Sequence, residues 1–214
     1  MVFQDLKTKY MRKTIAVLLS LMPFLLCAQI GIKGGINFAN VTGASGINPG
    51  NQSGFVAGLF LAPKSRGIIG SRTELLFSRQ GYSFKSGSTT GHVKLNYLVI
   101  PQFMAINITK FVQLQFGVQM AFLLNAKADS TSPASQSSPA PYPGITSYYN
   151  KFDYGFGAGV ELHPIAGLVI GARYNVSISK LYSSVGTGQA PSFSSADAKN
   201  NIVQVFTGWV FGNK

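Results

Sequence analysis

The sequence predicts an all-β fold: an eight-stranded antiparallel up-and-down transmembrane β-barrel, preceded by an N-terminal signal peptide. Three observations carry that prediction. Three stretches alternate apolar and polar residues with a period of two, long and short connections take turns along the chain, and the first 28 residues have the layout of an export signal. In a strand, successive side chains point to opposite faces, so each alternating stretch has one greasy face and one polar face. A soluble sheet turns the greasy face inward. A membrane barrel turns it outward and needs strands of roughly 9–11 residues.

The export signal comes first, over residues 1–28. Met11-Arg12-Lys13 forms a basic start, Ile15 to Leu26 an apolar core broken by Pro23, and cleavage follows near Ala28 or Gln29. Translation starting at Met11 would make residues 1–10 a mis-called extension. A membrane anchor helix needs about 20 apolar residues, and this run is shorter and contains proline. Leu26 is too large to precede a lipidated cysteine, which argues against a lipoprotein site at Cys27. The barrel domain then occupies 29–214.

Ile30 to Asn40 alternates Ile30, Ile32, Ile36 and Phe38 against Lys33, Gly35 and Asn37. Ser53 to Ala62 places Phe55, Ala57, Leu59 and Leu61 on one face, although Val56 and Phe60 blur it. Ile68 to Arg79 sets Leu75 and Phe77 opposite Arg72, Glu74 and Ser78. Val93 to Ile108 is apolar on both faces around Pro101, so its register is open. Val112 to Leu124 has an apolar residue at every even position, with Gln113, Gln115, Gly117 and Gln119 between them. Phe152 to Leu162 and Leu168 to Ile178 repeat the pattern, the latter with Arg173 and Asn175 on its polar face. Asn201 to Phe211 closes the series. Eight is an even number, as single-chain bacterial barrels require.

The first, third, fifth and seventh connections are long (Val41–Gln52, Gln80–His92, Ala126–Asn150 and Tyr182–Asn200), and the others are short (Pro63–Gly67, Thr109–Lys110 and Pro164–Gly167). Short turns belong to the periplasmic side and long loops to the outside. The longest loop is rich in Ser and Pro, a composition that buries little apolar surface. Tyr142, Tyr148 and Tyr149 near its end read either as an outer contact surface or as a tyrosine girdle where the next strand enters the membrane.

The chain carries 18 Lys and Arg against 6 Asp and Glu, and it stays basic after loss of residues 1–28. These cations are scattered singly, with no basic stripe for nucleic acid. Outer-membrane lipid and the phosphates of lipopolysaccharide are the partners expected for exposed positive charge. Without Cys27 the domain has no cysteine, hence no disulfide framework.

Several segments together carry a resemblance to the PorT-like family of bacterial outer-membrane β-barrel proteins. They are Gly31-Ile32-Lys33-Gly34-Gly35-Ile36-Asn37, Thr73-Glu74-Leu75-Leu76-Phe77-Ser78-Arg79-Gln80-Gly81 and Leu95-Asn96-Tyr97-Leu98-Val99-Ile100-Pro101. Gly155-Phe156-Gly157-Ala158-Gly159-Val160-Glu161, Gly171-Ala172-Arg173-Tyr174-Asn175 and the aromatic strand ending at Phe211 continue the series. The order and spacing of these motifs carry the resemblance, which covers nearly all of residues 29–214. It implies an eight-stranded, OmpX-like barrel of the Gram-negative cell outer membrane. It does not imply a part in type IX secretion, which belongs to the family's namesake. Family members often place a Glu where Val99 stands here, so a lumen charge at that point is missing or moved.

Chemistry is scarce. His92 and His163 lie far apart without metal-ligand spacing, and the chain has no Gly-x-Ser-x-Gly segment. No cofactor and no catalytic residue is expected. The polar faces do place Lys33, Arg72, Glu74, Asp153, Glu161 and Arg173 toward the lumen. An eight-stranded barrel is just wide enough to be filled by side chains, and an unpaired charge there is expensive. Arg72 and Arg173 are therefore expected to pair with Glu74 and Glu161, with hydrated side chains around trapped water as the alternative. Two functional classes follow: a non-enzymatic platform whose outer loops bind an envelope, secretion or surface partner, and a narrow pore or small-ligand carrier through the lumen.

Overall fold

In the computed structural model the alternating segments become nine strands, eight of which close a ring. Residues 28–44, 49–63, 67–86, 89–131, 140–141, 145–183 and 197–212 are described; of the span 1–28 expected as an export signal, Ala28 opens β1 and the rest lies outside the described residues. The strands are β1 (Ala28–Thr42), β2 (Gly50–Pro63), β3 (Ile69–Ser86), β4 (Thr89–Asn107), β5 (Val112–Thr131), β6 (Ala140–Pro141), β7 (Phe152–Leu162), β8 (Leu168–Ser177) and β9 (Lys199–Val210). Each neighbouring pair in the ring is antiparallel, and β9 pairs with β1 to close it. The two residues of β6 pair with Asp129 and Ser130 on β5, outside the ring. Closure removes the free edges of the sheet, which lipid could not satisfy.

The greasy face points outward. Phe116, Val118, Met120 and Phe122 on β5 are exposed, as are Tyr154 and Phe156 on β7 and Val203 and Val205 on β9. The intervening Gln115, Gln119, Asp153, Glu161, Arg173 and Gln204 are buried. The open register of β4 resolves with its odd residues inward, from Val93 through Phe103, while Ile100, Met104 and Ile106 lie on the outward side. Val56 and Phe60, which blur the pattern of β2, are inward core residues.

All four long connections are shortened by strand, the first and seventh by a few residues at their ends and the third and fifth by much more. The third connection was expected over Gln80–His92, but β3 runs to Ser86 and β4 starts at Thr89. The fifth was expected to begin at Ala126, but β5 continues to Thr131. The reason is a change of solvent along the strand. On the barrel's outer end water replaces lipid, so apolar side chains belong inside and polar ones outside. Tyr82, Phe84, Val93 and Leu95 accordingly point inward, while Lys85 and His92 are exposed. In β5 the exchange uses a register shift against Asn96 and Tyr97 of β4, where Asn125 and Leu123 become the successive partners. One extra residue at such a bulge reverses the facing of all that follow. Leu124 and Asn125 are both exposed, and thereafter Ala126 and Ala128 face in. Arg79, Asn96 and Asn125 lie at one level across three strands. They are linked by Arg79 Nε to Asn96 Oδ1 at 3.1 Å and Asn96 Nδ2 to Asn125 Oδ1 at 2.7 Å, and they mark the outer edge of the apolar belt.

Candidate functional site: the barrel interior and its two ends

Inward-facing residues from five strands meet in one ion-pair cluster. Glu74 on β3 receives Arg173 of β8 as a fork, Nη1 to Oε2 at 2.8 Å and Nη2 to Oε1 at 2.9 Å. Lys33 of β1 donates to the same carboxylate at 3.1 Å. Arg72 of β3 pairs with Glu161 of β7, and Gln115 of β5 accepts from Arg173 Nη2 at 2.6 Å. All five charged side chains are buried. Aromatic faces hold the cations from the other side: Phe60 lies 4.2 Å from the Arg72 guanidinium carbon, Phe103 4.0 Å from that of Arg173, and Phe206 3.4 Å from Lys33 Nζ. A desolvated cation on a ring face gains about 2 kcal/mol. Glycine makes room for the rings: a Cβ on Gly31 would lie 2.2 Å from Phe60 Cζ, and one on Gly157 2.9 Å from the Phe103 ring.

The structure thus brings Lys33, Arg72, Glu74, Glu161 and Arg173 together and leaves Asp153 apart. Asp153 sits nearer the outer end, accepting from Ser177 Oγ at 2.7 Å and from Ser179 Oγ. Between the two lies a layer of amides and hydroxyls, in which Asn37 Nδ2 donates to Ser78 Oγ at 2.9 Å and Gln204 Nε2 to Asn37 Oδ1 at 3.1 Å. A void of about 10 Å³ remains beside Gln119 and Arg173, roughly the room one water needs. The expectations for polar residues came from strand alternation. The ring partners Phe60, Phe103 and Phe206 were missed, because an aromatic on the polar face reads as noise until a guanidinium is seen against it.

The outer end is closed by an apolar cap. Tyr82, Phe84, Val93, Leu95 and Tyr97 pack with Ile145, Tyr149, Leu181 and Tyr182 in one cluster. Tyr82 Oη lies 3.0 Å from Tyr149 Oη and also bonds Tyr182 Oη. Burial pushes all three phenols above their ordinary pKa. Tyr149 is therefore neither an exposed contact residue nor part of an outward girdle: it is 2% exposed and points into the cap. Tyr148, in the 3-10 turn Ile145–Tyr148, packs half-buried against the same cluster, and Tyr142 lies outside the described residues. His92 is exposed and within 2.9 Å of Gln52 Oε1. His163 is at the opposite end, its Nε2 3.7 Å from Glu161 Oε2. Among the described residues no group of His, Cys, Asp and Glu is placed to hold a metal.

A closed ring of eight strands with an apolar exterior, a filled polar interior and short turns at one end defines a bacterial outer-membrane β-barrel. The family model described as "Outer membrane protein beta-barrel domain" matches residues 25–183, and the chain belongs to that family. Among solved structures it is similar to Neisserial surface protein A, with TM-score 0.50 and 15% identity over 85% of this chain and 97% of that one. It is also similar to Ail, the attachment invasion locus protein of Yersinia pestis, with TM-score 0.48 and 22% identity over 86% and 99%. For OprG from Pseudomonas aeruginosa the figures are 0.43 and 11% over 86% and 96%. No curated protein matches the chain. The protein is a cell outer-membrane barrel.

Proposed function

We propose that this barrel is a non-enzymatic platform of PorT-like type whose outer end binds an envelope or surface partner, in protein secretion or envelope assembly. The observation that carries the reading is the filled lumen. Among the described residues, cross-barrel ion pairs, amide bonds and the tyrosine cap fill the middle and outer parts of the lumen, with a void of about 10 Å³ beside Gln119, and this filling argues against a path for a solute. The investment in ordered structure lies instead beyond the membrane, where β3, β4 and β5 continue past the apolar belt. The outward side of that extension carries Lys85, Lys94 and Lys127, with Asp129 3.3 Å from Lys94. Positive charge at this level suits the phosphates of lipopolysaccharide. Residues 1–28 serve as the export signal in this reading. Planar-bilayer recording on refolded protein tests it: the platform gives no sustained unit conductance, whereas a steady single-channel current would favour the narrow-pore alternative. Capture of an envelope partner by the intact barrel, lost on deletion of outer-loop residues, supplies the positive arm.

A further inference from the structure

A large cavity lies at the other end, among the short turns. It measures about 540 Å³ and is lined by Arg72, Lys110 and His163 together with the apolar Ile68, Phe111 and Ile165. Those three are among the most exposed large apolar side chains of the described residues, Ile68 at 75%. The volume falls within the range of roughly 300–1,000 Å³ typical of small-ligand sites. No Asp or Glu lines it. Arg72 lines the cavity although it is almost wholly buried, and its hydrogen bond to Glu161 leaves from Nη1. The buried cluster behind it sets three cations, Lys33, Arg72 and Arg173, against two carboxylates, Glu74 and Glu161. A buried cluster with more basic than acidic side chains favours a further anion over a further cation.

We propose that this periplasmic mouth is a binding site for a single-chain carboxylate, with the carboxyl group on Arg72 and the apolar tail against Ile68, Phe111 and Ile165. The planar guanidinium fork matches a carboxylate, an anion suits the basic excess of the cluster, and the apolar rim requires a tail. The site is blind, because the lumen above it is filled, so it holds a ligand without passing it through the barrel.

The test uses the barrel in phosphatidylcholine nanodiscs and octanoate labelled with carbon-13 at the carboxyl, followed by NMR. Saturable binding of one octanoate per barrel is expected, with octan-1-ol and butyrate at least tenfold weaker. Arg72→Gln is expected to lose binding at least tenfold. Ala166→Trp, at an exposed turn position that lines the cavity, is expected to block it without touching the ion pairs, and it decides the question should Arg72→Gln fail to fold. Uptake no greater than in empty nanodiscs, octanol binding as tight as octanoate, or an Ala166→Trp barrel that binds like the parent would each overturn the proposal. Loss of octanoate binding when phosphatidylglycerol replaces phosphatidylcholine would assign the site to an anionic lipid head and overturn the free-acid assignment.

Discussion

Removing Glu74 should cost this barrel far more than removing Lys33, although the two residues form one ion pair. Glu74 holds two cations at once, the Arg173 fork at 2.8 and 2.9 Å and Lys33 at 3.1 Å. Glu74→Gln leaves both cations in place against Glu161 alone, the nearest contact of which to Arg173 is 4.0 Å. Breaking a buried pair by deleting one partner typically costs about 3–5 kcal/mol, and here two partners are stranded, so the upper part of that range is expected. Lys33→Met deletes the surplus cation and leaves the Arg173 fork intact. It gives up the charge-assisted contact of Nζ with the two Glu74 oxygens and the contact with Phe206, while the remaining cluster becomes formally neutral, so a change within about 1 kcal/mol is expected. The chain has a single tryptophan, Trp209, on the outward face of β9. Its fluorescence reports urea unfolding from vesicles, and the heat-modifiable gel shift reports the folded fraction. Equal destabilisation by Glu74→Gln and Lys33→Met would refute the claim that charge balance, rather than the count of contacts, governs the interior.

Three further outcomes are expected. On the outward side of β5, Val118→Arg meets lipid near mid-strand and should cost roughly 2–4 kcal/mol, whereas Asn125→Arg at the outer boundary should change stability by less than about 1 kcal/mol; refolding yields that fall equally would place the boundary elsewhere. The phenols of Tyr82, Tyr149 and Tyr182 have raised pKa values because they are buried, so their stabilising contribution is intact below about pH 10, the unfolded value, and is lost as pH rises toward the folded values. Absorbance at 295 nm should therefore show at least these three tyrosines resisting ionisation after the exposed ones titrate, and a folded barrel titrating all its tyrosines together would contradict the cap. Deleting residues 130–143, which removes β6 with the stretch that joins it to β5, should leave insertion and heat resistance intact because the length of a surface connection changes stability by only about 0.6 kcal/mol per doubling; partner capture should be lost, and failure to assemble would make the segment structural.

The sequence by itself determined the class of fold, its membrane setting and the chemistry of the interior. Alternation of Val112 to Leu124 and of Phe152 to Leu162 states which residues share a face, because the period of a strand is a local, steric property. It cannot state what lies opposite that face. Lipid outside β5 at Val118 and water outside it at Lys127 demand opposite choices, and only the pairing of β5 with β4 shows the bulge at Leu124 and Asn125 where the choice is reversed. That is why strand read as loop over residues 80–86, 89–92 and 126–131, and why Val93 to Ile108 had no readable register. The polar faces named Arg72, Glu74, Glu161 and Arg173, but their pairings join residues up to 99 positions apart, a distance fixed by ring closure and by no local signal. Tyr149 shows the same limit. Composition placed it in a polar outer loop, and the tertiary structure folded it over the lumen, because an apolar interior exposed at the barrel's end has to be covered by whatever chain returns across it.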